Sequence, residues 1–230
     1  MSNINEVLNN PVWHALTNQH ASLALGNGLA RRYPREIAGM GAVAATNEEA
    51  FHHLAALLAP NEVIALLGSQ PPSGEPWLLL RQMPIAQMVY AGPGVEQLEA
   101  KIELKSLFPA DVPAMLKLVE ITHPGPFQPR TIELGHYVGI WQDGMLAAMA
   151  GVRMHLPGYH EISAVCTHPD FQRRSYARQL MLQLMGEIQS AGETPFLHVS
   201  PENKSAYTLY EALGFKPRAE LPLSLLKRQG

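Results

Sequence analysis

Thirteen residues, Val165-Cys166-Thr167-His168-Pro169-Asp170-Phe171-Gln172-Arg173-Arg174-Ser175-Tyr176-Ala177, hold the densest chemistry of this chain. An apolar strand pattern ends at His168-Pro169. A turn follows, and a helical pattern begins at Ser175. A strand that feeds a helix start leaves backbone N–H groups without intrahelical acceptors. With the helix dipole, that point favours a phosphate or pyrophosphate. Arg173, Arg174 and Arg178 add positive charge there. Charge and layout alone leave two readings open, an anion-binding turn and a solvated basic turn.

Other chemistries lack their residues. Gly26-Asn27-Gly28 and Gly92-Pro93-Gly94 miss the third glycine and the preceding strand of a dinucleotide site. There is no Gly-Lys-Ser/Thr phosphate loop and no Gly-x-Ser-x-Gly elbow. Ten histidines and one cysteine show no metal-ligand spacing, so no metal is expected. Cys166 lies mid-strand and reads as a small buried hydrophobe.

Composition bounds the rest. The chain has 230 residues, 47% hydrophobic and 16% charged, enough to bury a core without disulfides. The net charge of -3 is far from the basic balance of a general nucleic-acid binder, so no nucleic-acid partner is expected. No apolar run reaches the roughly 18–20 residues of a membrane span, and the first residues lack a secretory pattern. A soluble cytoplasmic protein is expected. The oligomeric state is not legible.

The elements that must position the turn fall into two parts. Residues 1–100 carry four Arg, no Lys, eight Glu and no Asp, whereas 101–230 are nearly balanced. Ala91-Gly92-Pro93-Gly94 is a linker signal. We therefore expect a small α/β unit over 1–95 and a larger α/β domain over 96–230. In the first, Asn18–Tyr33 reads as an interrupted helix. Thr46-Asn47-Glu48-Glu49 reads as a capping box opening a helix. Val63–Leu67 and Trp77–Leu80 read as strands. In the second, a strand over Ile102–Leu107 and a helix from Asp111 precede three strands. The first two of these turn at Gln142-Asp143-Gly144. A helix follows from Ser175, then a strand, a helix capped by Ser200-Pro201 and a last strand from Leu221. Helices over both faces of a mixed sheet would cover the apolar runs.

The thirteen-residue run resembles the coenzyme A signature of the GNAT superfamily of N-acetyltransferases. Pro169, Gln172 and Ala177 match it, while Arg173 and Ser175 stand where glycines are usual. Asn203, Ala206, Leu209-Tyr210 and Leu213-Gly214-Phe215 are similar to the family's last-helix pattern. The two-part layout also resembles, weakly, the glycine N-acyltransferase branch.

The resemblance implies a GNAT-like α/β fold over about 100–230 and acetyl transfer from acetyl-CoA to the amine of a small molecule or amino acid by direct attack. It implies that backbone groups of Val165, Cys166 and Thr167 hold the pantetheine arm. Amides of Arg173, Arg174, Ser175, Tyr176 and Ala177 after Gln172 would hold the pyrophosphate, and Asn203 the arm. Tyr210 would donate a proton to the departing thiolate, and Glu161 would serve as general base. His160 and His198 are weaker base candidates. Strand alternation places Glu161, Ser163 and Val165 on one face. The altered glycines leave a non-catalytic coenzyme A-binding module as the alternative. Residues 1–95 are expected to wall the amine site.

Overall fold

Proline at the first helical position gives up an N–H that has no acceptor there, and Pro11 opens α1 (Pro11–Thr17) in this way. The computed structural model describes residues 4–72, 74–94 and 102–230. The interrupted helix expected over Asn18–Tyr33 does not form. Gly26 and Gly28 both adopt positive φ, which a helix cannot accommodate. A 3-10 turn (Ala21–Leu23) and strand β1 (Ala30–Arg32) occupy this stretch instead. Strand β2 (Met40–Val43) leads to α2 (Glu48–Ala56). Its N-cap is Asn47 and not Thr46, because the Ala50 amide donates to Asn47 Oδ1 at 2.9 Å. Phe51, Leu54, Ala55 and Leu58 are buried, as their spacing predicts.

Strands β3 (Val63–Leu67) and β4 (Trp77–Tyr90) follow. β4 runs ten residues past its expected end at Leu80. Pro84 disguises it in sequence, but Pro84 faces Pro222 across the ladder, so the missing N–H groups coincide.

The remaining elements are β5 (Lys105–Leu107), α3 (Val112–Thr122), β6 (Tyr137–Gln142), β7 (Met145–Leu156), β8 (Tyr159–Thr167), α4 (Tyr176–Ser190), β9 (Thr194–Val199), α5 (Lys204–Ala212) and β10 (Phe215–Arg228). Asp143 and Gly144 both take positive φ between β6 and β7, the turn that the sequence predicts.

All ten strands form one mixed sheet in the order β1-β2-β3-β10-β4-β9-β8-β7-β6-β5. The β2–β3 and β8–β9 pairs are parallel and the others antiparallel. Along β7, Ala148, Ala150 and Val152 join the core under α4, whereas Leu146 and Met149 join the core under α3. The two helices therefore cover opposite faces.

The expected boundary at 95/96 lies beside residues 95–101, outside the described residues. The sheet nevertheless runs across it. β4, from the first part, lies between β9 and β10, both from the second, and pairs with β10 from Phe215↔Tyr90 to Arg228↔Trp77. Two side-by-side units joined only by a tether do not describe this architecture.

Candidate active site

Parallel β8 and β9 pair only where Tyr159–Glu161 meets Thr194–Phe196. Beyond that point β9 continues against β4, through Phe196↔Val89 to Val199↔Ala86. β8 continues against β7 alone among the described pairings. The separation has a local cause. Ala164 takes φ 53, and between the pairs Gly151↔Ser163 and Met149↔Cys166 β8 carries one extra residue. Such a bulge bends its strand away from the ladder. The result is a wedge between the strands, edged by backbone groups of Val165, Cys166 and Thr167.

The bulge also corrects the expected alternation. Ile162 and Val165 pack into the core under α4, and Ala164 and Cys166 into the core under α3. Val165 therefore shares its face with Ile162 and not with Glu161.

The wedge leads to the turn. Pro169–Phe171 forms one 3-10 turn, and the Asp170 amide donates to His168 Nδ1 at 3.3 Å. Arg173 and Ser175, the two positions where the motif favours glycine, both have φ of 61. Both positions thus hold the left-handed backbone that glycine adopts at little cost. Ser175 in that conformation makes no side-chain cap for α4, so the amides at the helix start are left to another acceptor. Gln172, Arg173, Arg174 and Ser175 are exposed. Tyr176 turns its ring into the core, and Ala177 is half-buried. The Arg174 guanidinium stacks 5.1 Å from the centroid of the Phe171 ring. A cavity of about 210 Å³, lined by Lys117, Ile121, Trp141, Met145 and His168 among others, opens beside the turn.

Helix α5 packs on β10 and against the core under α4. Its N-cap is Asn203, whose Oδ1 accepts from the Ala206 amide at 3.1 Å. The cap expected at Ser200-Pro201 is displaced by three residues. The Asn203 side-chain oxygen is thus committed to the helix, on an exposed residue. Tyr210 is buried, and its phenol is pushed up to about 12 by burial and then by the nearby Cys166 thiol. Cys166 itself is pushed up to about 11 by burial. The α5 hydroxyl therefore lies against β8 in its neutral, proton-carrying form.

Glu161 occupies a different environment from the one expected. It is wholly buried, and both oxygens are engaged. Arg153 Nε donates to Oε2 at 2.8 Å and Arg153 Nη2 to Oε1 at 2.5 Å, while His198 Nδ1 donates to Oε1 at 2.7 Å. Burial alone would raise its pKa, but Arg153 and His198 overcome this and hold it at about 2. A carboxylate held so far below neutrality, with no lone pair directed at solvent, is a poor proton acceptor. The carboxylate expected as the general base is thus engaged by Arg153 and His198.

His198 offers no base either, because its Nε2 accepts from Gln87 Nε2 at 3.0 Å. Gln87, buried on β4, also donates to the Leu8 carbonyl and accepts from Arg218 of β10. The network Arg153–Glu161–His198–Gln87–Arg218 thus ties β7, β8, β9, β4 and β10 together at the closed end of the wedge. His160 faces His155 and Glu193, away from this network. The sequence missed Arg153 and Gln87, for neither lies in a motif. Arg153 reaches Glu161 only because β7 carries its own extra residue between Val152↔Ile162 and Met154↔Glu161.

Residues 137–221, from β6 through the turn and α5 into β10, match the family model described as FR47-like protein. Over 111 residues the chain is 31% identical to the [ribosomal protein bS18]-alanine N-acetyltransferase of Salmonella typhimurium, covering 46% of this chain and 74% of that protein. A crystal structure from Novosphingobium aromaticivorans, described as an acetyltransferase of the GNAT family, is 34% identical. It matches with TM-score 0.88 over 97% of this chain and 99% of its own. The chain belongs to the GNAT family of N-acetyltransferases. A GCN5-related N-acetyltransferase from Kribbella flavida, 14% identical, shares the fold over the whole of this chain with TM-score 0.65. The residues that resemble the GNAT signatures lie on β8, in the turn before α4 and on α5.

Proposed function

We propose that this GNAT enzyme transfers an acetyl group from acetyl-CoA to the amine of a small molecule or amino acid, by direct attack within a ternary complex. The observation that carries this reading is the continuity of the wedge between β8 and β9 with the uncapped, left-handed turn at the start of α4. The residues fit the cosubstrate. The β8 edge of Val165, Cys166 and Thr167 suits the amides of a pantetheine arm. The amides from Arg173 to Ala177 suit a pyrophosphate, and the side-chain amide nitrogen of Asn203 suits a carbonyl of the arm. When bound, acetyl-CoA supplies the activated thioester.

Tyr210 holds a proton at its hydroxyl throughout the working pH range and donates it toward the sulfur as negative charge forms there. The substrate ammonium loses its proton to water before the neutral amine attacks, since Glu161 and His198 are both occupied.

The acceptor side is built by both parts of the chain. Arg130 N donates to the Glu36 carbonyl at 3.0 Å and Thr131 Oγ1 to the Ile37 carbonyl at 2.7 Å. These bonds pin the loop before β6 to the first part. Between them lies a small cavity of about 40 Å³ bordered by Ile37, Met40, Pro126, Gln128 and Arg153. So confined a wall favours a small amine.

The Salmonella relative is named for a ribosomal-protein alanine, which favours a protein N-terminus as the second reading. An assay of acetyl-CoA consumption with a panel of amino acids, polyamines and alanine-starting peptides decides between them. Turnover confined to peptides would overturn the small-amine reading. Binding of acetyl-CoA without turnover on any acceptor would leave only a coenzyme A-binding module.

A further inference from the structure

His155 and His160 face each other directly across the β7–β8 ladder. Their ring centroids lie 3.7 Å apart at a tilt of 54°. Glu193, the residue before β9, brings its carboxylate to both. Its Oε2 lies 3.1 Å from His155 Nε2 and 3.0 Å from His160 Nδ1. His155 Nε2 is hydrogen-bonded to Glu193 Oε1 at 3.1 Å, yet the hydrogen bonding here does not close. His160 Nδ1 and Glu193 Oε2 are both buried from solvent, and neither makes a hydrogen bond in spite of their proximity. Buried polar atoms without partners are costly, and native structures rarely leave two in contact without a reason.

We propose that His155, His160 and Glu193 bind a divalent metal ion of the zinc class. The three donor atoms lie within 4.8 Å of one another. A tetrahedral zinc with bonds of about 2.0–2.1 Å sets its ligand atoms about 3.3 Å apart, so the two Glu193 spacings need only a slight opening. Two imidazole nitrogens and one carboxylate suit zinc and its borderline neighbours better than calcium or magnesium, which prefer oxygen.

Metal binding requires neutral imidazole. Burial and the facing His155 disfavour the protonated form of His160, against the pull of Glu193. His20, the next nearest imidazole, is not a ligand. Its Nδ1 pairs with Tyr33 Oη at 2.9 Å, and the ring also bonds the Leu134 backbone. His155 is one-third exposed, which leaves water as the fourth ligand.

The site holds the β7–β8 turn against the start of β9, where the Thr194 amide already donates to the Gly158 carbonyl. It therefore lies beside the three residue pairs that close the wedge. Sequence spacing hides it, because the third ligand arrives only through the return of β9.

The test uses the full chain without a polyhistidine tag, treated with chelator and dialysed. Zinc is titrated calorimetrically and cobalt by visible absorption. One zinc per chain is expected, with cobalt bands of four-coordinate intensity and a melting temperature that climbs with zinc concentration. His155→Gln, His160→Gln and Glu193→Gln should each weaken binding at least about tenfold and quench the cobalt bands. His52→Gln/His53→Gln, on the exposed face of α2, should change neither. Circular dichroism in chelator checks that each variant is folded. Absence of zinc binding at micromolar concentrations, or equal binding by wild type and the His155→Gln/Glu193→Gln double variant, would overturn the site.

Discussion

Tyr210 and Glu161 show how burial assigns opposite roles to two ionisable groups. Tyr210 is buried without a counter-charge, so its phenol stays protonated. We expect Tyr210→Phe to lower kcat about 100-fold while acetyl-CoA affinity measured by calorimetry stays within a few-fold, because the hydroxyl acts only as charge forms. Glu161 is buried against the Arg153 guanidinium, accepts a hydrogen bond from His198 and stays ionised. Glu161→Gln leaves Arg153 without its charge partner, and breaking such a pair costs about 3–5 kcal/mol. The variant should therefore show a large fall in urea midpoint, and no selective loss of the basic limb in its pH–rate profile. His20 gives a pH dependence of defined sign. Burial, then His155 and His160, lower its pKa to about 4. The folded state thus binds fewer protons than the unfolded chain between pH 4 and 6.5. Stability from neutral His20 is complete above 6.5 and is lost as pH falls toward 4, by about 3 kcal/mol. Urea unfolding of His20→Asn across that window should show a shallower decline than wild type. The contribution from Glu161 is lost lower, as pH falls from 4.5 toward about 2.

At the scale of the element, the start of α4 is the part most open to test. Ser175 sits in left-handed backbone that glycine adopts at little cost, so Ser175→Gly should fold within about 1 kcal/mol of wild type and keep acetyl-CoA binding. Ala177→Leu places bulk on the first turn, where a pyrophosphate must approach the amides. Its thermal shift with acetyl-CoA should vanish while its ligand-free melting temperature moves little. A full acetyl-CoA shift in Ala177→Leu would place the anion elsewhere. The same reasoning explains why the motif survives without its glycines. At 173 and 175 the backbone holds the left-handed conformation that glycine adopts at little cost, with Arg and Ser in place.

Over the whole molecule, β4 joins the two parts of the chain. A fragment of residues 96–230 would expose the β9 edge and the full length of β10 that β4 covers. It would also lose Gln87, which bridges His198 and Arg218. Long unpaired edges are aggregation templates. The fragment should therefore aggregate on expression, and co-expression with residues 1–95 should restore soluble protein that binds acetyl-CoA. A fragment as stable as the full chain would refute the view that β4 is integral to the catalytic sheet.

The sequence alone determined the strand–turn–helix of 165–190, the β6–β7 hairpin, the face of α2 and the family. Each rests on local rules of turn chemistry, helical period and short motifs, which act within a few residues. Long-range pairing decided the rest. No local pattern carries β4 through Pro84 into the gap between β9 and β10, because Pro222 answers Pro84 from 138 residues away. No alternation rule anticipates two bulges, one on each of β7 and β8, that turn Arg153 onto Glu161 and open the wedge. The chemistry of Glu161 followed from that geometry. A carboxylate is a base or a buried anchor according to what surrounds it, and here Arg153 and His198 arrive from other strands.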